Sequence, residues 1–228
     1  MPKEDIAAVI VAGGTASRYN AGNKLLENVN EIPIIVYSVK PFSEMSYVTQ
    51  IILVANASWL EEYKKIIKEH ITEISIDFVI GGETRSQSVI NGLKSIRKDI
   101  SIAAIHDAAR PLVTKELIYD CYNSTLKYKS GVAASKINDT LKKTDNLNKV
   151  VKTIDRKNMW AVETPQLFLK DDIIAAYDYV EKNKISVTDD AGAIESFGHE
   201  VYLVESKTPN IKITHTKDLP IISYLLLC

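Results

Sequence analysis

An uninterrupted apolar segment near the start of the chain, residues 6–11, runs directly into a loop of small residues. A strand that is apolar along its whole length is typical of a parallel sheet that is covered on both faces. The loop residues are Ala12, Gly13, Gly14, Thr15, Ala16 and Ser17. Small residues let backbone N–H groups approach an anion, and the cations that follow, Arg18 and Lys24, carry charge that a triphosphate needs. By itself the segment predicts either a phosphate-binding loop or an ordinary tight turn.

Strand-like and helix-like segments alternate along most of the remaining chain. Predicted strands cover residues 48–55, 74–80, 102–105, 131–137 and 200–205. Predicted helices begin near residues 34, 58 and 114 and also cover 86–97, 170–182 and 188–197. The alternation predicts an α/β fold, with one Rossmann-like, three-layer α/β/α domain over residues 1–228 and a mostly parallel sheet. Ligands of such sheets bind at the carboxyl ends of the strands, near the point where the strand order reverses.

Polar side chains mark the expected starts of several helices. Ser58 and Glu61 have the spacing of a capping box, and Thr114 and Thr188 are expected to cap the helices that follow them.

Residues 139–153 interrupt the alternation. Two short strand-like segments flank a turn-rich centre at residues 145–148, which predicts a β-hairpin that projects from the sheet. The hairpin, at about 138–154 overall, is either a surface feature or an arm that holds a partner subunit.

Composition and charge exclude several classes of protein. The 28 basic and 29 acidic residues give a net charge of -1, which provides no general attraction for nucleic acid. No apolar run is long enough to span a membrane, and the charged N-terminus is unlike a signal peptide. Cys121 and Cys228 lie far apart, so neither a disulfide framework nor a zinc site is indicated. We therefore expect a cytoplasmic protein.

A second glycine pair, Gly81 and Gly82, also lies between a predicted strand and a predicted helix. Glycines permit unusual backbone angles, and the following Ser86 or Ser88 is expected to cap the helix or to contact a ligand. Arg85 would lie at the positive end of that helix, where an arginine does not stabilise it. This position favours an anion as the partner of Arg85, and the alternative is a capped helix with a solvated arginine.

Two further regions carry candidate ligand-binding residues. Asp107, at the end of a buried strand, is suited to hold Mg²⁺ or a substrate hydroxyl, and Ala108 would let a ribose or base come close. Arg110 is expected to face either a phosphate or, within a turn, Asp107. Arg156, at the foot of the hairpin, is a candidate for binding a phosphate, with Thr164 as a hydroxyl contact. The alternative is that Arg156 forms a surface ion pair with the adjacent Asp155.

Lys212 lies between apolar neighbours in a predicted strand and would therefore project from the face opposite the core. A lone lysine at such a position is usually solvated. Only the presence of Arg156 as a second candidate cation favours a functional role for Lys212.

Seven motifs in order resemble those of the methylerythritol 4-phosphate cytidylyltransferases of the non-mevalonate isoprenoid pathway. They are AGGTASR with Lys24, GGETRSQS, HDAARP, DTLK, TIDRKNMW with TPQ, TDDA and NIKIT. The resemblance implies transfer of the cytidylyl group of CTP to a sugar-alcohol phosphate, with Mg²⁺ as cofactor and pyrophosphate as the second product. The acceptor phosphate is already an anion, so the reaction needs no general base. We therefore expect His106 to be packed or hydrogen-bonded rather than catalytic.

The resemblance also implies roles for individual residues. Arg18 and Lys24 match a pair that stabilises charge on the triphosphate, and Arg156 and Lys212 match residues that grip and aim the acceptor. The positions that match nucleotide contacts are Ala12, Gly13, Gly14, Thr15, Ala16, Ser17, Gly82, Arg85, Ser88, Asp107 and Ala108. The positions that match acceptor contacts are Asp107, Arg110, Thr140, Arg156, Thr164, Thr188 and Lys212. The hairpin matches an arm that crosses between the subunits of a homodimer, where Arg156 of one subunit completes the site of the other.

Several positions depart from the pattern of the resembling family, namely Ala16, Asn23, Leu25, Glu83 and Glu163. The cations remain in place, so these departures bear on the identity of the acceptor more than on the reaction. A ribitol 5-phosphate cytidylyltransferase is therefore a second hypothesis. A catalytically silent nucleotide-binding or regulatory module is a third.

Overall fold

The computed structural model describes residues 5–13 and 22–227. Its strands are β1 (Ile6–Ala12), β2 (Asn28–Val29), β3 (Ile32–Pro33), β4 (Val48–Ala55), β5 (Ile76–Ile80), β6 (Ile102–Asp107), β7 (Ser130–Lys136), β8 (Leu141–Thr144), β9 (Val150–Ile154), β10 (Trp160–Leu169) and β11 (Leu203–Glu205). Its helices are α1 (Ile34–Ser43), α2 (Leu60–His70), α3 (Arg85–Lys94), α4 (Lys115–Tyr128), α5 (Lys170–Asn183), α6 (Asp190–Phe197) and α7 (Leu219–Leu225), with a 3₁₀ turn at Thr216–Asp218.

Seven of the strands in the described ranges form one sheet, in the order β11-β7-β10-β6-β1-β4-β5. β1 pairs in parallel with β4 and β6, β4 pairs in parallel with β5, and β7 pairs in parallel with β11. β10 runs antiparallel between β6 and β7. The mostly parallel sheet expected from the alternation is confirmed.

Successive residues of the central strands feed two apolar cores, one on each face of the sheet. Ile10 of β1 packs in the core that also contains Ile35 of α1. The neighbouring Val9 belongs to the other core, with Val89 of α3 and Ile173 of α5. Helices therefore cover both faces, which makes the fold a three-layer α/β/α arrangement. Within residues 5–13 and 22–227, no helix has both the length and the apolar character needed to cross a bilayer.

The strand order reverses between β1 and β6. From β1 the chain proceeds through α1 to β4 and then to β5 on one side, and it returns through α3 to β6 on the other side. Val11 and Asp107 are register partners at the carboxyl ends of these two strands. This reversal point, at the carboxyl ends of the strands, is where open α/β sheets bind their ligands.

β8 and β9 form the hairpin predicted for residues 139–153, with β9 ending at Ile154. Asp145 shapes its turn, because its Oδ1 accepts hydrogen bonds from the N–H groups of Leu147 at 2.9 Å and Lys149 at 3.0 Å. Leu147 is 87% exposed. The hairpin is confirmed, and its role as an arm between subunits stays a prediction.

The predicted caps of α2 and α6 are wrong. α2 begins after Trp59, which makes no side-chain cap hydrogen bond, and the N–H of Ser58 donates instead to Asn56 Oδ1 in the preceding turn. α6 is capped by Asp189 rather than by Thr188, since the Asp189 carboxylate accepts a backbone N–H of the first helical turn. An ionised carboxylate is especially stabilising at the positive end of a helix.

Of the other two predicted caps, that of α4 is confirmed and that of α3 is wrong. Thr114 caps α4 through the N–H of Leu117, as predicted. α3 is capped by Thr84, which forms a reciprocal capping box with Gln87. The helix therefore begins one residue earlier than predicted, and neither of the candidate serines caps it.

The ten-residue strand β10 is absent from the predicted strands. Glu163, Thr164 and Pro165 interrupt its apolar pattern, and its register against β7 shifts between Val162 and Gln166. A proline inside a run of strand-like residues argues against a central strand, and here the irregularity accommodates it. The strand inserts antiparallel into the sheet and brings Thr164 beside the end of β6.

Candidate active site

Two glycine-containing loops at the carboxyl edge of the sheet converge on the hydroxyl of Ser88. Its Oγ accepts a hydrogen bond from the N–H of Gly82 at 3.1 Å and donates one to the carbonyl of Thr84 at 3.0 Å. A Cβ atom at Gly13 would lie 3.1 Å from this oxygen, and one at Gly81 would lie 2.8 Å from it. The loops after β1 and β5 therefore pack closely against one buried serine, which favours glycine at both positions.

Asp107, the last residue of β6, is held between two cations. Its Oδ1 accepts a hydrogen bond from Arg85 Nε at 3.1 Å, and its Oδ2 accepts one from Lys212 Nζ at 2.5 Å. The side chain of Asp107 is 10% exposed, whereas that of Lys212 is 41% exposed. Burial acts to raise the pKa of Asp107, but the charges of Arg85 and Lys212 outweigh it and hold the pKa well below its ordinary value. Asp107 is therefore ionised at neutral pH.

Arg85 at the start of α3 is not a solvated arginine, so that alternative is wrong. Two of its nitrogens bind both carboxylate oxygens of Asp190 at 3.0 and 2.8 Å, in addition to the bond from its Nε to Asp107. The expected anionic partner exists, and it consists of two carboxylates of the same chain. These carboxylates offset the unfavourable position of a cation at a helix N-terminus.

Thr164 fixes the backbone of Asp107 from the neighbouring strand. Its Oγ1 accepts the N–H of Asp107 at 3.0 Å and lies 3.1 Å from His106 Nδ1. The other ring nitrogen of His106 lies 3.2 Å from the carbonyl of Arg110. These partners assign the neutral tautomer with the proton on Nε2, so that Thr164 donates to Nδ1.

His106 is fully buried, and burial lowers its pKa to about 3. The expectation of a packed, hydrogen-bonded histidine is confirmed.

Arg110 follows Asp107 in a backbone turn, with its N–H donating to the Asp107 carbonyl at 3.0 Å. Its guanidinium donates to the carbonyl of Asn210 at 2.6 Å. The Asn210 amide in turn donates to the Thr164 carbonyl at 2.8 Å and to Glu163 Oε2 at 3.0 Å. Burial lowers the pKa of Arg110. The network ties the segment after β11 to both β6 and β10.

Lys24 lies against the same segment, because its Nζ donates to the carbonyl of Ile213 at 2.6 Å. The neighbouring Asn23 is fixed by Tyr63, whose hydroxyl accepts from the Asn23 amide at 2.7 Å. Residues 209–214 belong to no helix or strand, so the predicted strand around Lys212 is wrong. Hydrogen bonds to neighbouring loops, rather than a sheet, orient Lys212.

The remaining predicted residues have different surroundings. Ala12 and Ala108 are buried at the ends of β1 and β6. Thr140, Arg156 and Thr188 are exposed, and Arg156 donates to the carbonyl of Asn138 at the base of the hairpin. Among the described residues, no hydrogen bond or ion pair joins these exposed side chains to Asp107 of the same chain. Five predicted loop residues lie outside the described residues, namely Gly14, Thr15, Ala16, Ser17 and Arg18.

The donor set around Asp107 fits a particular kind of metal site. No group of three His, Cys, Asp or Glu side chains within the described ranges forms a ready-made metal cage. Mg²⁺ commonly binds one or two carboxylates and takes its other ligands from substrate phosphates and water. Asp107 fits that pattern, because an ionised carboxylate has lone pairs beyond the two that Arg85 and Lys212 occupy.

Two residues that contact this cluster were not assigned a site role from the sequence. Asp190 lies fully buried at the start of α6, and Tyr177 of α5 donates to its Oδ1 at 2.5 Å. The adjacent aspartates Asp189 and Asp190 at the start of a predicted helix are a pattern that could have identified Asp190 as a candidate. Tyr177 has no such signal, since an apolar helix face commonly contains a tyrosine.

Comparison with known proteins identifies the family. Residues 6–227 match the family model described as 2-C-methyl-D-erythritol 4-phosphate cytidylyltransferase. A relative of that name from Caldanaerobacter subterraneus subsp. tengcongensis is 36% identical over 224 residues, which are 97% of this chain and 99% of the relative. Another from Dictyoglomus thermophilum is 37% identical over 221 residues, which cover 95% of this chain and 94% of the relative.

Solved structures agree with the sequence relatives. The 4-diphosphocytidyl-2C-methyl-D-erythritol synthase from Anaerococcus prevotii is 28% identical and superposes with a TM-score of 0.88, covering 99% of this chain and 100% of that one. The 2-C-methyl-D-erythritol 4-phosphate cytidylyltransferase from Francisella tularensis is 29% identical with a TM-score of 0.81, covering 97% and 100%. The chain belongs to the 2-C-methyl-D-erythritol 4-phosphate cytidylyltransferase family.

Proposed function

We propose that this chain transfers CMP from CTP to 2-C-methyl-D-erythritol 4-phosphate, giving 4-diphosphocytidyl-2-C-methyl-D-erythritol and pyrophosphate in isoprenoid biosynthesis. The observation that carries the proposal is the cluster at the carboxyl edge of the sheet. There Arg85 and Lys212 converge on Asp107, beside the close-packed loops of Gly13 and Gly82. This combination suits a nucleotide and a second anion that must react with each other.

The reaction is a displacement at phosphorus. An oxygen of the acceptor phosphate attacks the α-phosphorus of CTP and forms a new P–O bond. The bond between the α-phosphorus and the bridging oxygen breaks, and that oxygen leaves on pyrophosphate with the electron pair. The attacking oxygen carries no proton to be removed, so a general base is not required. The buried, neutral His106 agrees with this requirement.

The cations carry most of the catalytic task. Two polyanions must be held in line, and negative charge must be balanced on the α-phosphate and on the leaving pyrophosphate. We assign the charge on the triphosphate to Arg18 and Lys24, and the acceptor phosphate to Arg156 and Lys212. Lys212 suits this role because its half-exposed ammonium group lies at the rim of the cluster on a flexible stem.

The two anionic substrates occupy different sides of Asp107 in this proposal. The nucleotide lies along the loops that contain Gly13, Gly82 and Ala108, where little side-chain bulk separates a base or ribose from the backbone. The acceptor lies toward Lys212 and Arg110. Thr164 acts through the backbone of Asp107, since its hydroxyl is already engaged there. Thr140 and Thr188 complete the acceptor side from more exposed positions.

Asp107 would hold the Mg²⁺ that accompanies the triphosphate. When bound, the ion supplies positive charge to the phosphate oxygens. Lys212 and Arg85 keep Asp107 ionised, so that its carboxylate is ready to bind a cation.

The hairpin of β8 and β9 is proposed to cross to a second copy of the chain. Leu147, Val150 and Val151 are exposed on it, and they would be covered in a homodimer. Arg156 lies at its base, where its guanidinium donates to the carbonyl of Asn138. A dimer in which the hairpin reaches the partner would explain how Arg156 serves an acceptor site.

The test is pyrophosphate release from CTP and Mg²⁺ with three acceptor conditions: 2-C-methyl-D-erythritol 4-phosphate, ribitol 5-phosphate, and no acceptor. We expect release that depends on 2-C-methyl-D-erythritol 4-phosphate and is much slower with ribitol 5-phosphate. Preference for ribitol 5-phosphate would keep the reaction class and overturn the acceptor. No release with either acceptor would overturn the proposed function and favour a silent nucleotide-binding module.

A further inference from the structure

We propose that Asp190 is a positioning residue that acts through Arg85 on Asp107. It is the buried counter-ion that occupies the paired donors of Arg85, so that Asp107 receives only one N–H from that guanidinium. The inference rests on the proposed function, because it assigns Asp107 to the nucleotide and its metal ion.

Asp190 has the contacts of a built counter-ion site. Its side chain is fully buried, and both of its oxygens are bound by Arg85 in a forked arrangement at 3.0 and 2.8 Å. The hydroxyl of Tyr177 donates to Oδ1 at 2.5 Å. Three hydrogen bonds to one buried carboxylate fix its position, and forked arginine–carboxylate pairs are among the most directional interactions in proteins.

The fork leaves Arg85 one side of its guanidinium for Asp107. That contact is the single bond from Nε to Asp107 Oδ1 at 3.1 Å, while Lys212 binds Oδ2. The Arg85 guanidinium therefore donates two hydrogen bonds to the fully buried Asp190 and one to Asp107. Asp107 instead receives one bond from each of two cations, one of which is the half-exposed Lys212.

The start of α6 is itself anchored to the sheet, so Asp190 cannot readily follow a moving arginine. Gln166 of β10 accepts the N–H of Ala191 at 2.8 Å and donates to Asp189 Oδ2 at 3.0 Å. The N-terminal position on the helix also favours the negative charge of Asp190. A rigid element therefore holds the counter-ion, which is what positioning of a neighbouring group requires.

Loss of the Asp190 charge would change the partners of Arg85. The Arg85 nitrogens freed in this way lie beside the carboxylate of Asp107, which Arg85 already contacts. If Arg85 bound both oxygens of Asp107, it would compete with the metal ion and the nucleotide for them. Outer residues that orient a metal-binding group typically change metal affinity or activity by about 10- to 100-fold when removed. We expect an effect of about this size on the affinity for CTP with Mg²⁺ in Asp190→Asn.

The experiment is isothermal titration of CTP in the presence of Mg²⁺ without acceptor, so that the measurement does not depend on turnover. The variants are Asp190→Asn, Tyr177→Phe, Arg85→Ala and the Arg85→Ala/Asp190→Asn double variant. Asp178→Asn is the matched control, because this aspartate lies exposed on α5 next to Tyr177. Circular dichroism and thermal unfolding are recorded for each variant.

The inference predicts weaker CTP binding in Asp190→Asn, a smaller loss in Tyr177→Phe and no loss in Asp178→Asn. In the Arg85→Ala background, Asp190→Asn should cause no further loss, because its effect passes through Arg85. A merely structural role would instead add a second loss to that of Arg85→Ala. Equal affinities in Asp190→Asn and Asp178→Asn would overturn the inference.

Asp190→Asn leaves a buried guanidinium without its main counter-ion and is the variant at most risk of misfolding. The double variant removes the charges of both Arg85 and Asp190, and Tyr177→Phe keeps both charges. These two variants therefore test the role of Asp190 if Asp190→Asn does not fold. Normal affinity in Tyr177→Phe together with an added loss in the double variant would overturn the inference. A wild-type protein that binds no CTP would overturn the proposed function as well, whereas normal wild-type binding with unaffected variants overturns the inference alone.

Discussion

Lowering the pH from 7 to 5 should destabilise the protein through one buried residue, His106. In the native state His106 is neutral, because its pKa is lowered to about 3 by burial. Its hydrogen bonds also require the neutral form, since Nδ1 accepts from Thr164. An unfolded histidine titrates at about 6.5. Between these two values the unfolded chain binds a proton that the folded chain does not, so the free energy of unfolding falls as the pH is lowered.

The size of the loss follows from the two pKa values. Relative to pH 7, protonation of His106 in the unfolded state should reduce the free energy of unfolding by about 0.7 kcal/mol at pH 6 and about 1.9 kcal/mol at pH 5. Asp107 does not add to the loss over this range. Its native pKa is depressed, so the stability it contributes is lost only below the unfolded carboxyl value of about 3.9.

Urea unfolding at pH 7, 6 and 5 measures the effect in the wild type, His106→Gln and His199→Gln. Glutamine has a donor and an acceptor but no titration in this range, so the first variant should lack most of the loss between pH 7 and 5. His199 has a 44% exposed side chain and serves as the matched control. An equal loss in wild type and His106→Gln would refute the reasoning.

Three further predictions concern the site and its support. Lys212→Ala should lower turnover by about 10²- to 10³-fold, because it removes a charge that the proposed mechanism places on the acceptor phosphate. The same change at the exposed Lys217 should have little effect, and steady-state kinetics decide this. Arg156→Ala should raise the Michaelis constant for the acceptor much more than that for CTP, and an unchanged acceptor constant would remove Arg156 from the site. Gly131→Ala should lower the free energy of unfolding by about 1–3 kcal/mol or more in urea, since a Cβ atom there would overlap the backbone oxygen of Cys121; wild-type stability would contradict the packing.

The sequence was most informative where the signal is local. The apolar run of β1, the exact bounds of β4 and the turn around Asp145 all follow from neighbouring residues. Asp107 was also predictable as a candidate site residue, because a charged residue at the end of a buried strand needs charged partners, and the structure gives it Arg85 and Lys212. Its partner Lys212 was a candidate even though the strand predicted around it is wrong.

Longer-range features could not be predicted in the same way. Asp190 binds Arg85 across 105 residues of sequence, and this pairing depends on where α6 docks against the sheet. β10 was hidden by Pro165 and its polar neighbours, which break the strand pattern locally. Thr188 and Asp189 are both good capping residues, and the additional bond from Gln166 to Asp189 is a tertiary contact that no local pattern contains.

The most direct test of the proposed reaction follows the oxygen atoms. The acceptor 2-C-methyl-D-erythritol 4-phosphate is prepared with ¹⁸O in its phosphate, reacted with unlabelled CTP and Mg²⁺, and both products are analysed by mass spectrometry and ³¹P NMR. Attack by the acceptor phosphate on the α-phosphorus predicts that all of the label remains in 4-diphosphocytidyl-2-C-methyl-D-erythritol, including its bridging oxygen, and that pyrophosphate contains none. Label in the released phosphates, or its absence from the bridging position, would contradict the account.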